Sequence, residues 1–396
     1  MTNLLRPAAW LAAVWFSLSF VVPASAAPRE VPPPVKIGLI AELTGELAAV
    51  GASCKKAAEL AVSRINEAGG MKFGGGSSYP LELIVEDSAM DPDRAVAAVH
   101  KLIEKDKVLA IIGPNASGNA IPAADEAERY GVVLITPWST NPRTTLDAAT
   151  GRPKKYVFRA CFTDTFEGQI LAKFARERFK ATRAAVLYED IGYGALKGQS
   201  GQFPKSFEAS GGKITALEKY PSGAQDFVPQ LTRIKAAAPD VLFLSGDSRA
   251  IPLQAKQAAA LGLKLPVLGS DAWRTEELIA ACGTACEGFY LCDHYSAQSE
   301  NLQAKKFIAL YRSQFLEAPD DVAALTYDAF GLLAQALAKT PKPDREMARK
   351  GMSQIRSFSG VTGEIHFPAG SGDPVKGAVI LQIQEGKFVW VADVKP

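Results

Sequence analysis

Short apolar runs alternate with segments of helical period along nearly the whole chain, and this restricts the fold more than any other feature. Val35–Ala41, Leu109–Ile112 and Val132–Ile135 are apolar on almost every residue, as strands covered on both faces are. Leu81–Glu86 reads as a further strand. Helical segments lie between them. Gly51–Ala68 puts Ala57, Leu60, Ala61 and Ile65 on one face and stops at Gly69-Gly70. Pro92 opens a helix that runs to about Lys105. A second set repeats the pattern: strands at 184–189, 214–220, 241–245 and 266–269, with helices at 166–179, 195–210, 226–237 and 250–261. Strand–helix alternation of this kind is the signature of a parallel sheet with helices on both faces. Two α/β domains are expected, with the chain crossing between them near Arg159. After Asp293 the pattern changes to long helices at 302–315 and 322–339, a third at 344–355, and closing strands at 360–367, 376–383 and 388–392. If these helices pack on the first sheet, further crossovers fall near Asp293 and Gly370.

The stretch Val108–Thr145, VLAIIGPNASGNAIPAADEAERYGVVLITPWSTNPRTT, reads as strand, loop, helix, strand, loop. Its two strands end at the same edge of one sheet, each in a loop that bears hydroxyls. Open α/β sheets bind ligands at that edge. Ser117 opens a helix, where free N–H groups and the positive dipole end favour an anion. Thr140 adds a second hydroxyl and N–H, so a small carboxylate is the natural guest. Either residue alone reads better as a helix cap; the pair at one sheet edge carries the ligand reading.

With 396 residues, 47% hydrophobic and 22% charged, the chain is long enough for about two domains. A formal charge of +2 and scattered aromatics give no electrostatic reason to expect nucleic acid. The N-terminus carries Arg6, an apolar core Leu11–Val22, and Pro23-Ala24-Ser25-Ala26-Ala27. That is the order of a secretory signal peptide, with cleavage expected after Ala26. Cleavage there leaves no adjacent cysteine for lipid attachment. Export implies an oxidising compartment. Five cysteines then remain: Cys54, Cys161, Cys282, Cys286 and Cys292. Cys282 and Cys286 flank Gly283-Thr284-Ala285, a spacing that can close a small disulfide loop. A metal site there lacks histidine neighbours other than His294, and buried free thiols are the other reading.

From these residues the chain resembles a type I periplasmic binding protein of the branched-chain amino-acid and amide group that serves ABC importers. The resemblance covers about Val35–Val391. It is carried by VKIGLIAELTGELAAVG, GASCKKAAELAVSRINEAGG, LELIVEDSAMDPDRAVAAVHKLI, IIGPNASGNAIPAADEAERYGVVLITPWSTNP, FRACFTDTFEGQ, EGFYLCDHY and LTYDAFGLLAQAL. The resemblance implies two Rossmann-like lobes joined by three hinge strands. Residues 35–159 and 294–370 would form lobe I, and 160–293 and 371–396 lobe II, with ligand in the cleft and closure by hinge motion. It implies that Ser117 binds a ligand carboxylate, that Thr140 meets carboxylate and ammonium, and that Trp138 and Ser139 belong to the same loop. It further implies that Asp271 meets the ammonium from lobe II and that Tyr193 covers the ligand. Two positions depart from the pattern: Val50 stands where an aromatic residue is common, and Asp247 where a second-lobe aromatic is common. For Asp271 the plain alternative is a solvated loop acid paired with Arg274.

The function implied is periplasmic capture of an amino acid, branched-chain or related, by a monomer that delivers it to an inner-membrane ABC permease, with no cofactor. A binder of an amide, urea-like compound or aromatic carboxylate, motivated by Trp138, Val50 and Asp247, is the second reading; a ligand-sensing subunit is a third. No G-x-S-x-G elbow, H-E-x-x-H pair or Walker loop occurs, and His100, His294 and His366 are scattered. Catalysis is therefore not expected.

Overall fold

The computed structural model describes residues 32–190, 199–246 and 249–395. The first sheet is built from β1 (Val35–Ala41), β2 (Leu81–Asp87), β3 (Ala110–Ile112), β4 (Val133–Thr136) and β5 (Val157–Arg159), in the order β2-β1-β3-β4-β5 and parallel throughout. Three helices alternate with these strands: α1 (Ala48–Glu67), α2 (Pro92–His100) and α3 (Ser117–Tyr130). A five-residue π-helical turn, Lys101–Lys105, prolongs α2, which is why helical periodicity reads straight through to Lys105. Successive strand residues point to opposite faces. Ile37, Leu39, Ala110, Ile112, Val133 and Ile135 pack under α1, whereas Ile40, Ile111, Leu134 and Val157 pack under α2 and α3.

Next come α4 (Asp164–Phe179), β6 (Arg183–Asp190), α5 (Gln199–Ala209), β7 (Lys213–Pro221), α6 (Val228–Ala236), β8 (Val241–Ser245), α7 (Ile251–Ala260) and β9 (Val267–Gly269). A short helix absent from the sequence reading follows, α8 (Glu276–Cys282), and then β10 (Tyr290–Asp293). The chain then runs through α9 (Leu302–Phe315), α10 (Asp321–Leu337) and α11 (Arg345–Ser353). α10 and α11 bury Leu325, Leu332, Leu333, Ala348 and Met352 in the core of the first sheet, and α9 packs Phe307 and Tyr311 near Ala57 and Leu60 of α1. Three short strands, β11 (Phe358–Gly360), β12 (Gly363–His366) and β13 (Val375–Lys376), form a small antiparallel sheet. The last two strands, β14 (Ala378–Gln384) and β15 (Lys387–Val394), join the second sheet, whose order is β15-β14-β10-β9-β8-β6-β7. Five of its strands are parallel; β14 and β15 are antiparallel additions at one edge.

The chain thus leaves the first sheet after β5 and returns to its helices after β10. The segment before β14 lies against the β5 segment: the Arg159 N–H donates to the Gly372 carbonyl at 3.0 Å. A Cβ at Gly372 would stand 2.0 Å from the Val157 carbonyl oxygen, so only glycine lets these two crossing segments touch. In the second sheet Cys282 and Cys286 form a disulfide between α8 and the turn after it, while Cys54, Cys161 and Cys292 are buried free thiols. No helix among the described residues is long and apolar enough to cross a membrane.

Candidate ligand-binding site

At the carboxyl edge of the first sheet the loop after β3 is held by one buried acid. Glu42, fully buried just past β1, accepts hydrogen bonds from the N–H groups of Asn115 and Ala116 at 3.3 and 3.1 Å and from Asn115 Nδ2 at 3.0 Å. Burial pushes its carboxyl above the ordinary value, and the loop donors oppose that shift. The cap position of α3 is Ala116, with no side-chain cap. Ser117 is therefore the first helical residue, and the capping reading does not describe it. Its hydroxyl instead lies 3.0 Å from Ser139 Oγ. The N–H groups of Ser117 and Gly118 have no acceptor among the described residues, which leaves an anion-favouring helix end.

The loop after β4 is tied to the first loop by Thr136, whose hydroxyl donates to the Pro114 carbonyl at 2.6 Å and accepts from the Ser139 N–H at 3.2 Å. Ser139 is fully buried, with its hydroxyl also 2.7 Å from Thr144 Oγ1. It holds the loop rather than facing solvent. Arg159, fully buried, donates to the carbonyls of Ser139 and Asn141, to Thr145 Oγ1 at 2.9 Å and to Asp373 Oδ1 at 2.6 Å. Thr140 is half-buried. Its carbonyl accepts the Asp164 N–H at 3.0 Å, while its own N–H and hydroxyl have no partner among the described residues. The structure thus brings Ser117 and Thr140 to either side of Ser139, with unpaired donors on both.

Trp138 is half-buried against the first core, and its indole N–H donates to Asp321 Oδ2 at 2.7 Å. Val50 packs against the same core from the start of α1. Burial holds Asp321 well above the usual carboxylate range, reinforced by Asp293 and Asp320 and opposed by Arg274.

From the second sheet, Asp271 follows β9 with only 4% of its surface exposed, so the solvated-acid alternative fails. Arg274 is not its partner: the guanidinium pairs with Asp293. Asp271 Oδ2 instead lies 3.0 Å from His294 Nε2, and the Asp271 N–H donates to Glu167 Oε1 at 2.7 Å. Burial pushes the Asp271 carboxyl up to about 7, against the pull of the Ala272 and Asp271 N–H groups. Burial likewise lifts Glu167 well above its usual value, with Asp271 adding to the shift, and drives His294 well below 6.5, so the imidazole is neutral. An ion pair of 2.6 Å between Glu46, past β1, and Arg249, past β8, joins the rims of the two sheets. Both side chains are more than half exposed, and such pairs contribute about 0–1 kcal/mol. Tyr193 and Asp247 lie outside the described residues.

Glu42, Arg159, Glu167, Arg274, His294 and Asp321 stand around these loops, and the sequence reading named none of them as a site residue. A charge directly after, or inside, an apolar strand was a signal for Glu42 and Arg159. The others meet only through the fold. At α4 the cap is Thr163, whose hydroxyl accepts from the Phe166 N–H at 3.3 Å.

Known proteins resemble this chain along most of its length. The family model described as periplasmic binding protein matches residues 34–387. The leucine-, isoleucine-, valine-, threonine- and alanine-binding protein of Pseudomonas aeruginosa is 28% identical over 84% of this chain and 85% of its own length. The Leu/Ile/Val-binding protein BraC3 of Rhizobium johnstonii is 31% identical over 79% of each. Among solved structures, the leucine-binding protein LivK of Thermotoga maritima superposes with a TM-score of 0.80 at 32% identity, over 91% of this chain and 99% of that one. LivJ of Streptococcus pneumoniae, in complex with isoleucine, gives 0.80 at 29%, over 92% and 100%. A solute-binding protein of Rhodopseudomonas palustris in complex with 3,4-dihydroxybenzoic acid gives 0.74 at 27%, over 91% and 97%. With two helix-flanked sheets, hydroxyl loops at the edge of one and a buried acid at the edge of the other, and a family match along nearly all of the described chain, this chain belongs to the periplasmic binding proteins of the type I fold.

Proposed function

We propose that this chain is the substrate-binding component of an ABC importer, exported by its N-terminal signal peptide, cleaved after Ala26, and working in the periplasm as a monomer. It captures an amino acid, branched-chain or closely related, between lobe I (35–159 and 294–370) and lobe II (160–293 and 371–396) and delivers it to an inner-membrane permease. The work is binding rather than chemistry. The observation that carries the reading is the pairing of unpartnered donors at Ser117 and Thr140 with a buried acid, Asp271, on the opposite sheet edge. Donors suit a carboxylate and the acid suits an ammonium. Charge-assisted hydrogen bonds to both ends of a zwitterion can supply most of the roughly 8 kcal/mol that micromolar affinity requires. The relatives named for leucine, isoleucine and valine support the same class.

An aromatic carboxylate is the second reading, favoured by Trp138, whose ring is fixed at the loop by Asp321. Mass spectrometry of ligand retained through purification, followed by calorimetry with amino acids and benzoates, separates the two. Heat from benzoates and none from amino acids would replace the first reading by the second. Within either, Ser117→Ala is expected to weaken binding by about 1.5–3 kcal/mol, the worth of a hydrogen bond to a charged group. Unchanged affinity removes Ser117 from the site. A sensing rather than transporting role is tested by uptake of the labelled ligand in cells with and without the protein.

A further inference from the structure

We propose that Glu167, Asp271 and His294 form a proton-exchanging receptor for the ligand's ammonium group: the empty carboxyl pair holds one proton, and capture of the cation expels it. This rests on the reading of Asp271 as the ammonium partner.

The geometry is a shortage of cations. Glu167 and Asp271 are fully and almost fully buried, on different elements, and joined through the Asp271 N–H. Glu167 Oε2 has no partner among the described residues. The groups around the pair are mostly acidic or neutral. α4 contributes Asp164 behind Glu167, with Cys161 just before that helix, and β10 and its end contribute Cys292, Asp293 and His294. Asp321 approaches from the start of α10. Among the described residues two cations are near. Arg274 is taken by Asp293, and Lys376 donates to Thr362 Oγ1 at 2.7 Å, with its charge shared among Asp328, Asp293 and Asp321. The neutral imidazole of His294, tilted by 35° against Phe162 at 3.7 Å between centroids, supplies no charge. The Asp271 charge adds to the upward shift of Glu167, and two buried carboxyls that repel in such a setting do not both ionise. An arriving ammonium supplies the missing charge, and the second proton is then no longer needed.

The step balances simply. One carboxyl O–H breaks, the carboxylate keeps the electron pair and faces the incoming R–NH₃⁺, and one H⁺ passes to buffer. His294 also lines a cavity of about 400 Å³ together with Val361, Thr362, Ala378 and Asp393.

The test uses the mature full-length protein. A carbon-13 carboxyl titration of the empty protein should show one acid titrating near neutral pH, absent in Asp271→Asn. Calorimetry with L-leucine as probe, then the other proteinogenic amino acids, is run at about pH 6 in phosphate and in bis-Tris, below the value to which burial pushes Asp271. Heats should differ by the release of close to one proton per ligand, and Glu167→Gln should cut that release by more than half. Affinity should rise about tenfold per pH unit from about pH 5.5 to about pH 7 and then level off. An empty protein whose carboxyls all titrate below about pH 5 overturns the proposal whatever the ligand. Amino-acid binding with identical heats in both buffers overturns the proton exchange and leaves the proposed function standing. No heat from any amino acid overturns both.

Discussion

Arg159→Met is expected to lower the unfolding free energy by about 3 kcal/mol, the lower end of the cost of breaking a buried charge pair, because the partner Asp373 is 26% exposed. The guanidinium is fully buried and engages Asp373, the carbonyls of Ser139 and Asn141, and the Thr145 hydroxyl. Methionine fills much of the volume, so cavity formation is a minor part of the loss. What remains is two loop carbonyls without their donor and a part-exposed Asp373 carboxylate that keeps the Thr145 hydroxyl at 2.6 Å. The damage should also reach the ligand, because Ser139 and Asn141 belong to the loop that presents Thr140. Urea unfolding of the variant checks the first effect, and ligand titration under folding conditions checks the second. A stability loss below about 1 kcal/mol would show that the loop carbonyls are satisfied without Arg159 and that the segment carrying Gly372 and Asp373 is held by packing alone.

The α/β alternation was legible because the inner strands of the first sheet are covered on both faces and so read as nearly unbroken apolar runs, β3 and β4 most clearly, while the edge strand β2, LELIVED, is only part-buried. The helix Leu302–Phe315 was legible to the residue. α8 was not. It has seven residues, of which Leu278 and Cys282 alone are buried, and two apolar positions do not define a helical period. The short strands β11 and β12 were read as one strand at 360–367, and the end of β13 was read with β14 as one strand at 376–383. At the site, Ser117 and Thr140 were found by their place at strand ends, a property of chain order. The setting of Asp271 was not, because Glu167 comes from 104 residues away in sequence and His294 from 23. No local pattern distinguishes an acid that will meet those two from one that will meet the nearby Arg274, and the choice is made by packing of α4 and β10 against the end of β9.

Asp271→Asn is expected to weaken ligand binding by about 2–5 kcal/mol, the range for truncating one member of a desolvated charge pair in a binding site, while leaving the protein at least as stable at alkaline pH. The two effects separate because they have different origins. Asparagine keeps the shape and an oxygen to accept from the Ala272 N–H, which Asp271 Oδ1 does at 2.9 Å, but it offers the ammonium a dipole in place of a charge. For stability the sign follows from the raised carboxyl. Burial holds Asp271 up to about 7 in the folded protein, above its usual value, so the folded state binds more protons than the unfolded state between those values. Stability from this group is fully present at low pH and is lost as pH rises through about 7. Asparagine has no such proton to lose. The variant should therefore gain on the wild type between about pH 5 and about pH 8, by on the order of 1 kcal/mol or more, and match it more closely at the acid end. Urea midpoints of both proteins across that range, taken without ligand, measure the difference. A gap that stays constant with pH would mean that Asp271 is ionised throughout and that its charge is met within the empty protein, by a tilt of His294 or Arg274 toward it; the acid would then have no unmet need for a ligand's ammonium.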